Sequence, residues 1–105
     1  MAQPRRKAEE RVQLRNPDRT KKMPRLAKAT YAVLRRTALA VVPKKTPGIT
    51  LEGFLAAMTK RLPKAKGWDG ALSAPWWAVA IKLDLEARGE IQRVNTRPPQ
   101  RLTHA

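Results

Sequence analysis

The segment APWWAVAIKLDLEARGEIQRV (residues 74–94) contains a predicted helix, its stop signal and the start of a strand. Pro75 suits the first turn of a helix, and Ser73 just before the segment is a candidate N-cap. Apolar residues recur at helical spacing as far as Arg88, and Gly89 is the typical left-handed residue that ends a helix. The sequence therefore predicts a helix over about residues 74–88, followed directly by a strand.

Two amphipathic helices precede this segment, over residues 25–42 and 51–62, because apolar residues recur on one side of each. Thr50 is a candidate N-cap for the second helix. After the third helix, EIQRV and QRLTH predict two short strands joined by the turn-rich NTRPP. The expected fold is mainly α with a small β-hairpin: three helices and a basic hairpin.

The N-terminal residues 1–22 hold many basic side chains but few large apolar groups. A segment of this composition buries too little surface to offset the entropy lost on ordering. We therefore expect a flexible basic arm over residues 1–22 and one helical domain over residues 23–105. The arm suits nucleic-acid binding, and the alternative is a solvated tail that improves solubility.

The overall charge is strongly positive, with 23 Lys and Arg against 8 Asp and Glu, a formal net charge of +15. Nucleic acid is the favoured partner class, ahead of anionic membranes and acidic proteins. No apolar run approaches the roughly 20 residues of a membrane-spanning helix, and the N-terminus lacks the apolar region of a secretory signal. We expect a cytoplasmic protein with no membrane partner.

Residue types that carry catalysis are scarce. The chain has no cysteine and one histidine, His104, next to the last residue. Asp84 and Glu86 have partners four residues away, Arg88 and Lys82, and are expected to form solvated helix pairs. Since no phosphate-binding glycine loop or metal-ligand spacing is present, the sequence predicts no enzyme activity, no metal, no cofactor and no small-molecule substrate.

Three helices followed by a basic hairpin resemble the winged-helix variant of the helix-turn-helix domain, over roughly residues 25–104. In that fold the second and third helices form the turn unit, and the hairpin is the wing. The segments NPDRT, TPGITLEGFLAAM, PWWAVAIKLDLEARGEIQRV and PQRL, in this order, also resemble a family of small, functionally uncharacterised bacterial proteins. The second resemblance implies a fold and no particular reaction.

The third helix lacks the polar side chains that usually contact base edges in the major groove. We expect one apolar stripe, Trp76, Val79, Ala80, Leu83 and Ala87, to pack against the first two helices. Trp77, Ile81 and Leu85 form a second stripe, which either lies under other parts of the chain, forms a homodimer or partner interface, or stacks on bases. Lys82, beside a carboxylate, is a poor base reader.

The remaining cations are predicted to contact phosphates, which position a protein without reading sequence. The predicted nucleic-acid-binding residues are Arg5, Arg6 and Lys7 in the arm, Lys60, Lys64 and Lys66 after the second helix, Lys82 in the third, and Arg93, Arg97 and Arg101 in the wing. The sequence thus favours a duplex-DNA-binding protein, such as a transcriptional regulator or a nucleoid-associated factor. The alternative is a protein-interaction module that uses Trp77, Ile81 and Leu85, and RNA binding is a third possibility.

Overall fold

The computed structural model describes residues 10–94 and 97–105. Within these residues the chain forms three helices and five short strands, joined by loops and turns. The helices are Lys28–Val41 (α1), Leu51–Arg61 (α2) and Ala74–Ala87 (α3), and a 3₁₀ turn over Leu62–Lys64 follows α2. The strands are Arg11–Gln13 (β1), Arg25–Ala27 (β2), Ile49–Thr50 (β3), Ile91–Arg93 (β4) and Arg101–His104 (β5). The chain thus combines three helices with small antiparallel sheets.

The helix ends follow their local capping signals. The side chains of Thr50 and Ser73 each accept a backbone N–H from three residues later, at 3.0 and 3.3 Å respectively. Gly89 has a φ of +76° and ends α3 as predicted. The first helix begins later than expected, at Lys28, because Arg25–Ala27 form a strand.

A three-stranded antiparallel sheet, in the order β3-β5-β4, combines the two last strands of the chain with β3 from its middle. Its strands β4 and β5 pair as the predicted hairpin, with Ile91 opposite His104 and Arg93 opposite Leu102. On the other edge of β5, Ile49 of β3 also lies opposite Leu102. The sequence did not predict β3, because a strand of two residues is too short to show an alternating pattern.

An N-terminal hairpin forms a second antiparallel sheet, in which β1 pairs with β2. This corrects the prediction of a flexible arm through residue 22, since residues 10–22 include β1 and the loop that joins it to β2. Leu14 after β1 and Leu26 in β2 are both buried in the main core. A hairpin that shares an existing core needs few apolar residues of its own, and composition alone did not reveal this.

The core lies between the three helices. Its completely buried side chains include Leu34 of α1, Phe54 and Met58 of α2, and Ile81 and Leu85 of α3. No helix among residues 10–94 and 97–105 is both long enough and apolar enough to cross a membrane.

The side of α3 that faces the core is the opposite of the predicted one. Ile81 and Leu85 are completely buried, whereas Trp76 and Val79 are 55% and 43% exposed. The predicted packing of this stripe against α1 and α2 is therefore wrong for Trp76 and Val79, although Ala80 of the same stripe is buried in the core. Both stripes are apolar, so hydrophobicity alone does not choose between them, and the smaller Ala78 beside Ile81 leaves room for neighbouring helices to approach closely.

Candidate functional site

A groove follows the outer side of α3, between that helix and the loop joining β1 to β2. We call it the α3 groove and divide it into an apolar half and a basic half. The apolar half has a volume of about 290 Å³. The basic half has a volume of about 760 Å³ and reaches α3 at Ala87. The two halves adjoin, because Lys22 and Met23 line both.

The apolar half lies toward the start of α3. Its apolar lining consists of Met23, Pro24, Trp76, Val79, Ala80 and Leu83. Trp76 and Val79 are the most exposed of these large apolar side chains, and Trp76 packs edge-on against Trp77 with ring centroids 4.9 Å apart. Since Trp77 itself packs on the core, the exposed ring of Trp76 rests on a fixed support.

The basic half is lined by four cations from the loop between β1 and β2: Arg15, Arg19, Lys21 and Lys22. No acidic side chain among the described residues lines it. The loop's own carboxylate, Asp18, accepts hydrogen bonds from the hydroxyl and the backbone N–H of Thr20 at 2.6 and 3.0 Å. These bonds lower the pKa of Asp18 below its ordinary value and hold the carboxylate in a turn. The basic half therefore presents a surface suited to negatively charged groups.

One buried carboxylate, that of Asp84 in α3, fixes the loop to the helix. Its Oδ1 accepts the backbone N–H of Arg15 at 2.8 Å, and its Oδ2 accepts the hydroxyl of Tyr31. The Nε of Arg88 donates to the same carboxylate at 2.9 Å, and another guanidinium nitrogen of Arg88 donates to the backbone oxygen of Gln13 at 3.1 Å. These bonds join α1, α3 and the loop, and they satisfy a charge that would otherwise be costly to bury.

The predicted pair between Asp84 and Arg88 is confirmed, but its predicted solvated setting is wrong. The Asp84 side chain is completely buried. Its burial depends on Tyr31 and Arg15, which lie 53 and 69 residues away along the chain. A local spacing rule identifies the Arg88 partner and carries no information about the distant ones.

Tyr31 gives a pH-dependent prediction. Burial, and then its hydrogen bond to Asp84, raise the pKa of Tyr31 well above its ordinary value of 10.0. Because the pKa is higher in the folded state, the unfolded chain ionises first, so stability from this group is complete below pH 10 and is lost progressively as the pH rises above it. Tyr31 is the chain's single tyrosine, so tyrosinate absorbance in the near ultraviolet reports on it alone.

We expect the folded protein to show no tyrosinate absorbance until alkali unfolds it, while the denaturant-unfolded chain titrates near pH 10. Tyr31→Phe should remove the part of the alkaline destabilisation that is linked to this group. Circular dichroism recorded on the same samples separates ionisation from unfolding. A tyrosinate transition near pH 10 in a protein with unchanged circular dichroism would contradict the prediction.

Lys82, a predicted nucleic-acid contact, is instead buried against Glu86. Its side chain is 6% exposed and its Nζ lies 3.0 Å from Glu86 Oε1. No hydrogen bond of good geometry reaches that oxygen, so the contact is an ion pair. Contact with a phosphate would break this buried pair, which is strongly unfavourable, so the prediction for Lys82 is wrong.

Arg93, in the predicted wing, is partly exposed to solvent and also contacts the carboxylate of Glu86. Its side chain is 46% exposed, and its Nε donates to Glu86 Oε2 at 2.9 Å. Arg101, in the central strand, is half-buried, with Nη1 3.5 Å from the backbone oxygen of Gly48. Arg97, close to the turn of the hairpin, is exposed. Arg93 and Arg101 therefore have structural roles in addition to any contact with DNA.

The predicted contacts after α2 are all exposed: Lys60 at the end of the helix and Lys64 and Lys66 beyond it. Arg5, Arg6 and Lys7 lie outside the described residues. The structure leaves DNA binding by all these cations as a prediction.

The predicted partner interface is corrected by the burial of its residues. Ile81 and Leu85 are completely buried within the chain's own core, and Trp77 is half-buried against it. A partner cannot reach Ile81 or Leu85 without unfolding the protein. Of the explanations that the sequence left open for this stripe, burial within the chain is the one that holds.

Comparison with known families agrees with the predicted resemblance to proteins without an assigned function. The chain belongs to the Family of unknown function (DUF6958), whose model matches residues 11–102. The matched range begins with β1 and ends within β5, so it includes the N-terminal hairpin as well as the three helices. No curated protein and no solved structure shows significant similarity to the chain.

Proposed function

We propose that this protein, a member of a family with no assigned function, binds duplex DNA through phosphate contacts and with little sequence preference. The observation that carries the proposal is that exposed Lys and Arg side chains far outnumber the carboxylates, most of which already have partners within the protein. Apart from Glu52 in the first turn of α2, each described carboxylate accepts a hydrogen bond or forms an ion pair within the protein. The partners are Lys28 for Glu10, Thr20 for Asp18, Ala71 for Asp69, Arg88 for Asp84, Lys82 for Glu86 and Arg35 for Glu90.

Most of the described Lys and Arg side chains are exposed to solvent, and the whole chain has 23 Lys and Arg against 8 Asp and Glu, so most of the cations have no carboxylate to pair with. The net charge of +15 is well above the magnitude of about 2–8 that keeps a small domain soluble. A positive excess of this size creates a field that attracts polyanions, and duplex DNA carries one negative charge per roughly 1.7 Å of its axis.

Contact through phosphates, rather than base edges, is supported by the way α3 uses its polar groups. Its lysine, Lys82, is held by Glu86, and Arg88 just after the helix is held by Asp84. The exposed side of the helix carries Trp76 and Val79, which cannot donate paired hydrogen bonds to a guanine edge. The remaining exposed cations suit backbone contacts, which fix position without reading sequence.

The best candidate contact surface is the α2 patch, which we define as Lys60, Arg61, Lys64 and Lys66. All four side chains are exposed, and the sequence from residue 53 to residue 68 contains no acidic residue. Stabilisation of the negative end of α2 explains cations in its last turn, namely Lys60 and Arg61. It does not explain Lys64 and Lys66, which lie beyond the helix.

In its finer form, the proposal is a winged-helix domain in which the β4–β5 hairpin contacts DNA beside the α2 patch. The order of three helices and a hairpin supports this form, as does the bracing of the hairpin by β3. Arg97, close to the hairpin turn, would contact the backbone or enter a minor groove. A nucleoid-associated factor suits such binding, and a transcriptional regulator suits it where DNA shape or a partner selects the site.

The test is fluorescence anisotropy with a labelled random duplex over about 50–200 mM salt. We expect the logarithm of the binding constant to fall steeply with the logarithm of the salt concentration. The triple variant Lys60→Ala, Lys64→Ala, Lys66→Ala should reduce the slope by roughly 2–3, since each phosphate contact contributes about 0.9. The loss of affinity should be similar on two duplexes of unrelated sequence.

A matched control removes three exposed cations elsewhere: Arg36→Ala, Lys44→Ala, Lys45→Ala. Its salt slope should stay close to that of the unmodified protein. Equal reductions in both variants would mean that the α2 patch is not the contact surface. Weak binding at the lowest salt concentration would overturn the proposal as a whole.

A further inference from the structure

We infer that the α3 groove docks an acidic, amphipathic peptide segment of a partner protein. The segment would place apolar side chains in the apolar half and carboxylates in the basic half. This inference is independent of DNA binding, because it concerns a different surface from the α2 patch. The proposed surface lies on the exposed side of α3, whereas the predicted protein-interaction surface lies on its buried side.

An apolar stripe is exposed along α3. Trp76, Val79 and Leu83 succeed one another at i, i+3 and i+7, so they lie along one side of α3. An apolar surface left exposed beside a groove is typical of an interaction site, and tryptophan is among the residues most enriched at binding hot spots. The edge-on contact with Trp77 limits the motion of the Trp76 ring, so less entropy is lost when a partner binds.

The groove lies between two fixed walls. One wall is α3, and the other is the loop with Met23 and Pro24. The backbone N–H of Arg15 donates to Asp84, which ties the loop to the helix. Met23 adds an adaptable thioether side chain, which is suited to packing against apolar groups of different shapes. The surface is therefore a concave site for a narrow ligand.

The charge of the groove selects its occupant. The basic half presents Arg15, Arg19, Lys21 and Lys22, and no described acidic residue lines it. A second copy of this chain would bring another net charge of +15, which disfavours self-association at a basic site. A duplex gains nothing from the apolar half, and a flat bilayer does not fit between two walls. A peptide with both apolar and acidic side chains satisfies both halves.

The length of the groove indicates the form of the peptide. From Trp76 to Ala87 the helix advances about 16 Å, at about 1.5 Å per residue. A helical segment of about three turns matches this length, in the groove-binding mode whose apolar anchors fall at i, i+3, i+4 and i+7. Its acidic residues would lie at the end that faces Ala87, next to the basic half.

The test uses a labelled synthetic helical peptide with leucine at those anchor positions and glutamate over the adjoining turn. We expect it to bind the full-length protein, and a peptide with lysine in place of each glutamate not to bind. Trp76→Ala should weaken binding by roughly thirtyfold, the effect of a hot-spot residue. Val79→Glu is the second variant at the same surface, and circular dichroism establishes that both remain folded.

The charge arm compares Lys21→Glu, Lys22→Glu with Lys44→Glu, Lys45→Glu, which changes two exposed lysines in another loop. The first variant should lose peptide affinity at least about tenfold, and the second should stay within about twofold of the unmodified protein. Trp76→Ala should leave DNA affinity unchanged, so failure of this inference is distinguishable from failure of the DNA proposal.

Three outcomes would overturn the inference. In the first, the acidic peptide fails to bind at high micromolar concentration, or its binding survives both Trp76→Ala and Val79→Glu. In the second, Trp76 is required for binding to vesicles of phosphatidylserine and phosphatidylcholine, which would assign the groove to a membrane surface. In the third, sedimentation reveals a dimer that Trp76→Ala dissociates, which would assign it to a second copy of the chain.

Discussion

Asp84→Ala is expected to lower the free energy of unfolding by about 3 kcal/mol, the lower end of the range for breaking a buried ion pair. The substitution leaves the hydroxyl of Tyr31 and the backbone N–H of Arg15 without their acceptor, and it leaves Arg88 without its carboxylate. The lower end applies because the Arg88 side chain is 23% exposed and can be partly solvated. Since a domain of this size has a total stability of about 5–15 kcal/mol, the loss is a large fraction of the whole.

Urea denaturation followed by circular dichroism measures this loss as a lower midpoint. Asp69→Ala is the matched control, because Asp69 is an exposed carboxylate that accepts the backbone N–H of Ala71 at 2.9 Å. Its effect should stay below about 1 kcal/mol. Combining Asp84→Leu with Arg88→Met should recover only the part of the loss that comes from the unpaired Arg88 charge, since the Tyr31 hydroxyl and the Arg15 N–H still lack an acceptor. A loss below about 1 kcal/mol for Asp84→Ala would mean that the network does not hold the loop on α3.

The boundaries of α2 and α3 were predictable because their signals are local. Thr50 and Ser73 each cap the helix that follows by accepting an N–H three residues later. Gly89 ends α3 through its own backbone conformation. Such signals depend on adjacent residues, so they can be identified in the sequence without knowledge of the tertiary fold.

The orientation of α3 was not predictable from its pattern, because the helix is apolar on both sides. Its direction is set by how Ala78, Ile81 and Leu85 pack against distant residues of α1 and α2. Burial of Trp76 would have removed a large apolar surface from water. Close packing of smaller side chains prevailed, and it left the tryptophan in the groove.

The candidate site residues also differ in whether their position in the sequence or a distant partner determines their exposure. The exposure of Lys60, Lys64 and Lys66 follows from their position at and beyond a helix end, and DNA binding by them stays a prediction. The burial of Lys82 depends on Glu86, which also holds Arg93 from β4. The α3 groove was missed because one of its walls belongs to a segment whose composition predicted disorder.

Gly48→Ala is the substitution that should most weaken the three-stranded sheet, by about 3 kcal/mol. Gly48 has a φ of +83°, a conformation that costs other residues about 1–3 kcal/mol. A β-carbon added there would also lie 2.4 Å from the backbone oxygen of Leu102, in the central strand β5. Because that oxygen belongs to a backbone paired on both edges, it cannot move away without disturbing β3 or β4.

Two other glycines separate the conformational cost from the steric one. Gly89 also has a positive φ, of +76°, but a β-carbon added there meets open space. Gly89→Ala should therefore lower the free energy of unfolding by about 1 kcal/mol. Gly70→Ala has neither constraint and should be neutral or stabilising by up to about 1 kcal/mol. Urea midpoints for the three variants measure both costs. If Gly48→Ala costs no more than Gly89→Ala, then β5 shifts easily and β3 does not brace the hairpin, which would remove one support for a rigid, DNA-contacting wing.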